Sequence, residues 1–242
     1  MTVTTKLLVL DFDGTICLGD GPVYSYARRL DEALAARDPE HPAGLVETTL
    51  RRFLGEDVEA DEMLVQALET VIGSPDGYAA AARLAHSRGI TNAELSAAYQ
   101  GSRDELATGS IPTWAPPGLP SFLQSLPDDV LRVLVTNAPE AGIVQQLAHL
   151  GLAGLFGELV TSAGKPAGMP TILERLRADH GVAADHLLSV GDIWMNDLEP
   201  AHRQGSATAL IERLPAPEAV PDFRAPTFED LYEPIGAWVN RS

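Results

Sequence analysis

Two kinds of hydrophobic pattern alternate along this chain. Short, nearly continuous apolar runs occur at Leu7–Leu10, Leu131–Thr136, His186–Val190 and Ala207–Ile211, with a weaker one at Glu158–Thr161. Each is bounded by turn-forming or polar residues, the pattern of strands buried on both faces, as in a parallel sheet. Between them lie amphipathic stretches, Pro139–Leu150, Met169–His180 and Asp197–Gln204, and a last helix is expected over Phe228–Val239. Alternation of strand and helix predicts right-handed crossovers and an α/β doubly wound parallel sheet. The proline-bearing tail from Leu214 to Pro226 reads as an ordered wrap or loop.

The stretch from about Gly21 to Gly109 breaks this rhythm. It is rich in Ala, Leu, Glu and Arg and carries five helix-period segments: Pro22–Arg37, Leu45–Leu54, Asp61–Ile72, Gly77–Ser87 and Asn92–Ala107. Pro22 suits a first helical turn, and Gly89 and Gly109 suit helix ends. Gly/Pro-rich edges flank the stretch. The expected organisation is an α/β core from 1–18 and 111–242, with an all-helical domain, 19–110, inserted after the first strand.

Length and composition fit this picture. The chain has 242 residues, 45% of them hydrophobic, enough for a core without covalent staples. Its net charge of −17 repels nucleic-acid phosphates and anionic lipid surfaces, so neither partner is expected. An anionic substrate would need local cations. The single cysteine, Cys17, excludes an intrachain disulfide and a cysteine-rich zinc site. The N-terminal apolar run is too short for a signal core or a membrane span, and a cytoplasmic location is the default expectation.

Candidate chemistry gathers where strands end. Asp11 and Asp13, in Asp11-Phe12-Asp13-Gly14-Thr15, close the first strand on one side of it, with Phe12 on the other. Ligands bind beyond the carboxyl ends of strands in such sheets. Two acids there suit a division of labour in which one is ionised and attacks while the other holds a proton. The bland alternative is a strand end with solvated acids. Asp192 and Asp197, in Gly191-Asp192-Ile193-Trp194-Met195-Asn196-Asp197, repeat the theme and offer hard oxygen ligands for Mg²⁺, or a turn and a helix cap. Trp194, inside that loop, is bulky enough to cover the site. Thr136 and Asn137 end the second run ahead of a helix, as an anion site or a cap. Lys165 stands in a loop before another helix.

The ordered set of acid pair, hydroxyl–amide pair, lysine and second acid pair resembles the haloacid dehalogenase-like (HAD) superfamily. Within it the likeness is to the helical-cap, phosphoglycolate phosphatase and beta-phosphoglucomutase-like group, and spans roughly residues 5–16 and 112–212. The resemblance implies a Rossmann-like core. It makes Asp11 the nucleophile, Asp13 the acid/base, and Thr136 with Asn137 the phosphate-binding pair. Lys165 becomes the charge-neutralising lysine. Asp11, Asp13 (through its carbonyl), Asp192 and Asp197 become the Mg²⁺ site. Relatives often carry a second proline shortly after the Lys-Pro pair, whereas here Lys165-Pro166 is followed by Ala167-Gly168-Met169-Pro170. The implied activity is Mg²⁺-dependent hydrolysis of a small phosphorylated metabolite through an aspartyl-phosphate, by a monomer or homodimer. A phosphomutase and a silent binding protein are the alternatives. The inserted helices are then a cap over the site.

Overall fold

In the computed structural model, which describes residues 4–241, contacts divide the chain into two compact units. One comprises the N-terminal segment to Gly19 together with Thr113 onward; the other is Asp20–Pro112. The first unit opens with strand β1 (Lys6–Leu10) and leaves it through the Asp11–Leu18 loop. Where the chain departs and returns, Leu18 and Trp114 exchange both backbone hydrogen bonds, at 2.8 and 3.1 Å.

The second unit is helical: α1 (Gly21–Arg37), α2 (Leu45–Phe53), α3 (Glu62–Val71), α4 (Gly77–Ser87) and α5 (Asn92–Ala107). Apolar positions at helical spacing, among them Leu30, Leu34, Leu50, Leu84 and Ala98, meet in its own core. Three aromatic rings, Tyr26, Tyr78 and Tyr99, pack with centroids 5.6–6.2 Å apart. Thr91 and Glu94 form a reciprocal capping box at the start of α5. The buried carboxylate of Asp31, on α1, accepts the backbone N–H groups of Val46 (2.9 Å) and Glu47 (3.0 Å), satisfying donors of the first turn of α2 from a neighbouring helix.

The returning chain supplies α6 (Leu119–Ser125), β2 (Val130–Val135), α7 (Ile143–His149), β3 (Glu158–Val160), α8 (Met169–His180), β4 (Leu187–Gly191), a π-helical turn (Trp194–Leu198), α9 (Glu199–Arg203), β5 (Ala207–Ile211), β6 (Phe223–Ala225) and α10 (Tyr232–Val239). The described residues form one six-stranded sheet, order β3-β2-β1-β4-β5-β6, with every pairing parallel. The doubly wound expectation is therefore met. Alternation along β1 divides its side chains between two cores. Leu8 and Leu10 join Leu119, Leu123, Leu147 and Ile235 on one face. Leu7 and Val9 join Met169, Leu173 and Leu176 on the other. Each fully buried leucine contributes about 1.5–3 kcal/mol, and the result is a rigid platform whose strand ends carry the site.

Two elements differ from the sequence reading. The tail read as a wrap contains the edge strand β6. Asp222 fixes it by accepting from the backbone N–H (2.9 Å) and hydroxyl (3.1 Å) of Thr208 on β5. Helix α6, between a proline-rich segment and β2, is new. Among the described residues no helix is long and apolar enough to cross a membrane.

Candidate active site

The site is assembled from three parallel strands. Asp11 continues β1, its backbone N–H still bonded to the Val190 carbonyl of β4 at 3.0 Å. The chain then turns sharply: the Phe12 carbonyl accepts from the N–H groups of Thr15, Ile16 and Cys17. Phe12 is fully buried in the core. Gly14 has φ +82°, and a side chain there would bring its first carbon to 2.2 Å from Asp192 Oδ2. Only glycine lets the β1 loop and the β4 loop come this close.

Lys165 reaches the site from the loop ahead of α8. Its side chain is 3% exposed, and its ammonium has three donors with three acceptors: Asp11 Oδ1 at 2.5 Å, Asp197 Oδ1 at 2.6 Å and the Val135 carbonyl at 3.0 Å. Asn137 holds the backbone of this lysine from both sides. Its Oδ1 accepts the Lys165 N–H at 2.7 Å, and its Nδ2 donates to the Lys165 carbonyl at 3.2 Å. The amide expected to face phosphate is thus engaged in setting the lysine loop. Thr136 is buried beside it, and its hydroxyl oxygen accepts from the Ala138 N–H at 3.0 Å.

The β4 loop is tied down at Asp197. Its Oδ2 accepts the Ile193 N–H at 3.0 Å, and its backbone carbonyl accepts the Ser189 hydroxyl at 2.7 Å. A side-chain carbon on Gly191 would lie 2.4 Å from Asp197 Cβ, so the acid is packed directly over the strand end. The residue falls in the π-helical turn, a distortion common at functional sites. Trp194, in the same turn, packs against Leu198, Leu210 and Ala219 and near the His202 ring, 5.6 Å between centroids.

Oxygens of Asp11, Asp192 and Asp197 all lie within 4.8 Å of one another. Asp13 is close enough for its charge to act on Asp11, though its carboxylate is outside that triad. Burial raises the Asp11 carboxyl to about 7; Lys165 opposes this, while the charges of Asp197 and Asp13 add to it. Burial alone would lower the Lys165 ammonium, yet Asp11 and Asp197 together hold it above the ordinary lysine value. The pair is best described as an ammonium shared by two acids, with burial of Asp11 outweighing the pull of Lys165 on it. Arg213, two residues past β5, has Nη1 3.0 Å from the same point beside Gly14 that Asp192 Oδ2 approaches.

This site fits a divalent cation. The donors are oxygens only, which suits Mg²⁺ or a similarly hard ion. Four acids, Asp11, Asp13, Asp192 and Asp197, face two cations, Lys165 and Arg213. A divalent ion would add positive charge where acids outnumber cations. The sequence reading named all four acids, Lys165, Thr136 and Asn137. It missed Ser189, a lone serine in an apolar strand, and Arg213, which no motif covers.

No protein-family model and no curated protein matches this chain. Solved structures do. A predicted phosphoglycolate phosphatase from Haemophilus somnus 129PT superposes with a TM-score of 0.65 at 19% identity, over 96% of this chain and 98% of that one. The chain has the haloacid dehalogenase-like fold. YfnB of Bacillus subtilis, described as a HAD-hydrolase and bound to magnesium, superposes with a TM-score of 0.58 at 20% identity, covering 96% and 99%. A 2-haloacid dehalogenase from Pseudomonas syringae pv. Tomato DC3000 gives 0.55 at 20%, covering 97% and 100%. At such identities the likeness establishes the HAD fold, and what these relatives act on belongs to them. The haloacid dehalogenase-like fold hosts more than one chemistry, so activity has to be argued from the side chains at the strand ends.

Proposed function

We propose that this chain is a Mg²⁺-dependent phosphohydrolase that transfers the phosphoryl group of a small metabolite to Asp11 and then to water. The observation that carries the reading is the Lys165 ammonium, bonded to both Asp11 and Asp197 next to the Asp11–Asp192–Asp197 oxygen cluster. Asp11, Asp192 and the Asp13 carbonyl would hold the ion, with Asp197 beside them. When bound, the ion supplies the positive charge that keeps Asp11 ionised and offsets the phosphoryl oxygens.

An Asp11 carboxylate oxygen attacks phosphorus as the bond to the leaving oxygen breaks, and Asp13 gives its proton to that oxygen. Asp13 then takes a proton from water as the water oxygen attacks phosphorus, and the bond to Asp11 breaks to release inorganic phosphate. Lys165 neutralises the developing charge, and the Thr136 hydroxyl, which keeps its proton while accepting from Ala138, donates to a phosphoryl oxygen. Asp13 also separates this reading from dehalogenation. A halide leaves without a proton, whereas the alkoxide of a phosphate ester needs one.

A panel of phosphate monoesters assayed with Mg²⁺ tests the proposal. Hydrolysis of at least one ester, abolished by chelation and by Asp11→Asn, is expected. Hydrolysis undiminished by exhaustive chelation would overturn it. Recovery of phosphate on another hydroxyl of the same substrate would instead identify a mutase.

A further inference from the structure

Arg213 stands at the edge of the acid cluster without belonging to any of the motifs that define it. It follows β5, and its backbone N–H bonds to the Ile211 carbonyl at 3.0 Å. Its guanidinium crosses to the β1 loop. The position that a Gly14 side chain would take lies 3.0 Å from Arg213 Nη1 and 2.2 Å from Asp192 Oδ2. Both groups therefore abut one spot, within about 5 Å of each other, the range of direct charge–charge interaction. The missing side chain at Gly14 is what admits them.

We propose that Arg213 is a positioning residue that acts as the built-in counter-ion of Asp192, orienting this carboxylate before the metal arrives and lowering the affinity with which the metal is held. The inference rests on the reading of Asp192 as a metal ligand. Its physical basis is the charge balance. Asp11, Asp192 and Asp197 are held together by the fold, with Lys165 committed to Asp11 and Asp197 by hydrogen bonds of 2.5 and 2.6 Å. Lys165 is therefore placed to compensate those two acids, and Asp192 depends on a different cation. A guanidinium is suited to that place because it remains charged at every relevant pH and presents several donors in a plane. A divalent ion entering beside it meets a fixed positive charge. A unit charge beside the carboxylate that would hold a divalent ion would, even with the dielectric of water, weaken binding about tenfold. The consequence is an ion that exchanges with solvent and does not remain as a structural plug.

The test is calorimetric titration of the full chain with MgCl₂ and no substrate, comparing wild type, Arg213→Gln, Arg213→Lys and Asp192→Asn. Arg213→Gln is expected to bind Mg²⁺ about tenfold more tightly, because the opposing charge is gone, and Arg213→Lys to stay within about threefold of wild type. Arg213→Met, of similar bulk and equally neutral, serves if the glutamine variant does not fold, and the same tightening is expected. Unchanged or weaker binding in the neutral variants overturns the proposal. If wild type binds Mg²⁺ and Asp192→Asn does not, such a result removes only the role of Arg213. If wild type and Asp192→Asn bind alike, or neither binds, the reading of Asp192 as a ligand falls, and the proposal with it.

Discussion

Replacing Asp11, the proposed nucleophile, should make the metal-free protein more stable. Asp11 is buried, and its carboxyl is raised from 3.8 to about 7, first by burial and further by Asp197 and Asp13, against the pull of Lys165. The sign follows from proton linkage. Below pH 4 the folded and unfolded chains both hold the proton, and this residue adds no pH dependence. Between pH 4 and 7 the unfolded chain releases it while the folded chain keeps it, so stability falls as pH rises, by about 1.4 kcal/mol per unit. Above 7 the loss levels off at a ceiling of about 4 kcal/mol. Asp11→Asn removes the titration but keeps an oxygen for Lys165 Nζ. Urea unfolding in EDTA at pH 5 and pH 8 checks this, and the difference between variant and wild type cancels the other acids. The advantage of the variant should be larger at pH 8 by about 2–3 kcal/mol. Mg²⁺ at a hundred times its dissociation constant should then restore about 2.7 kcal/mol to wild type only. A difference that is the same at both pH values, or a variant less stable at pH 8 than at pH 5 relative to wild type, would mean that Asp11 is not held protonated by its burial.

Other substitutions probe the supports of the site and of the helical unit. Lys165→Met should abolish turnover and cost about 3–5 kcal/mol at pH 8 in urea unfolding, because it leaves two buried acids sharing no cation; an unchanged midpoint would contradict the ion triad. Ser189→Ala should cost about 1–3 kcal/mol and lower kcat at little change in KM, since it removes the hydroxyl that anchors Asp197. Steady-state kinetics with a good substrate separate that from a purely structural role, which would leave kcat per folded molecule intact. Asp31→Ala should destabilise the helical unit by about 1–2 kcal/mol through the lost N–H partners of α2, visible as a lower melting temperature.

The sequence disclosed what depends on neighbours along the chain. Leu7–Leu10 is buried on both faces, so its uninterrupted apolar run named it a central strand. The helices of the inserted unit announced themselves by period and caps, as at Thr91 and Glu94. Asp11 and Asp192 were legible because each stands where an apolar run stops, and Asp13 and Asp197 because each repeats the acid a few residues on. What escaped depends on partners far away in sequence. Phe223–Ala225 is too short to read as a strand and owes its place to Asp222 gripping Thr208. Ser189 looks like a blemish in a strand until Asp197 folds over it. Asn137 was placed at the site, but its bonds to the backbone of Lys165 span 28 positions and could not be foreseen. Arg213 meets Asp192 only because Gly14 leaves room between two loops.

The proposed reaction passes the phosphoryl group through Asp11. A rapidly quenched single-turnover reaction, with enzyme in excess over a labelled phosphate ester and Mg²⁺, followed by peptide mapping of the trapped adduct, tests it most directly. An acyl phosphate on Asp11 is expected, forming and decaying to inorganic phosphate at the rate of turnover, and absent from Asp11→Asn. Label on any other residue, or turnover at the wild-type rate in Asp11→Asn, would contradict it.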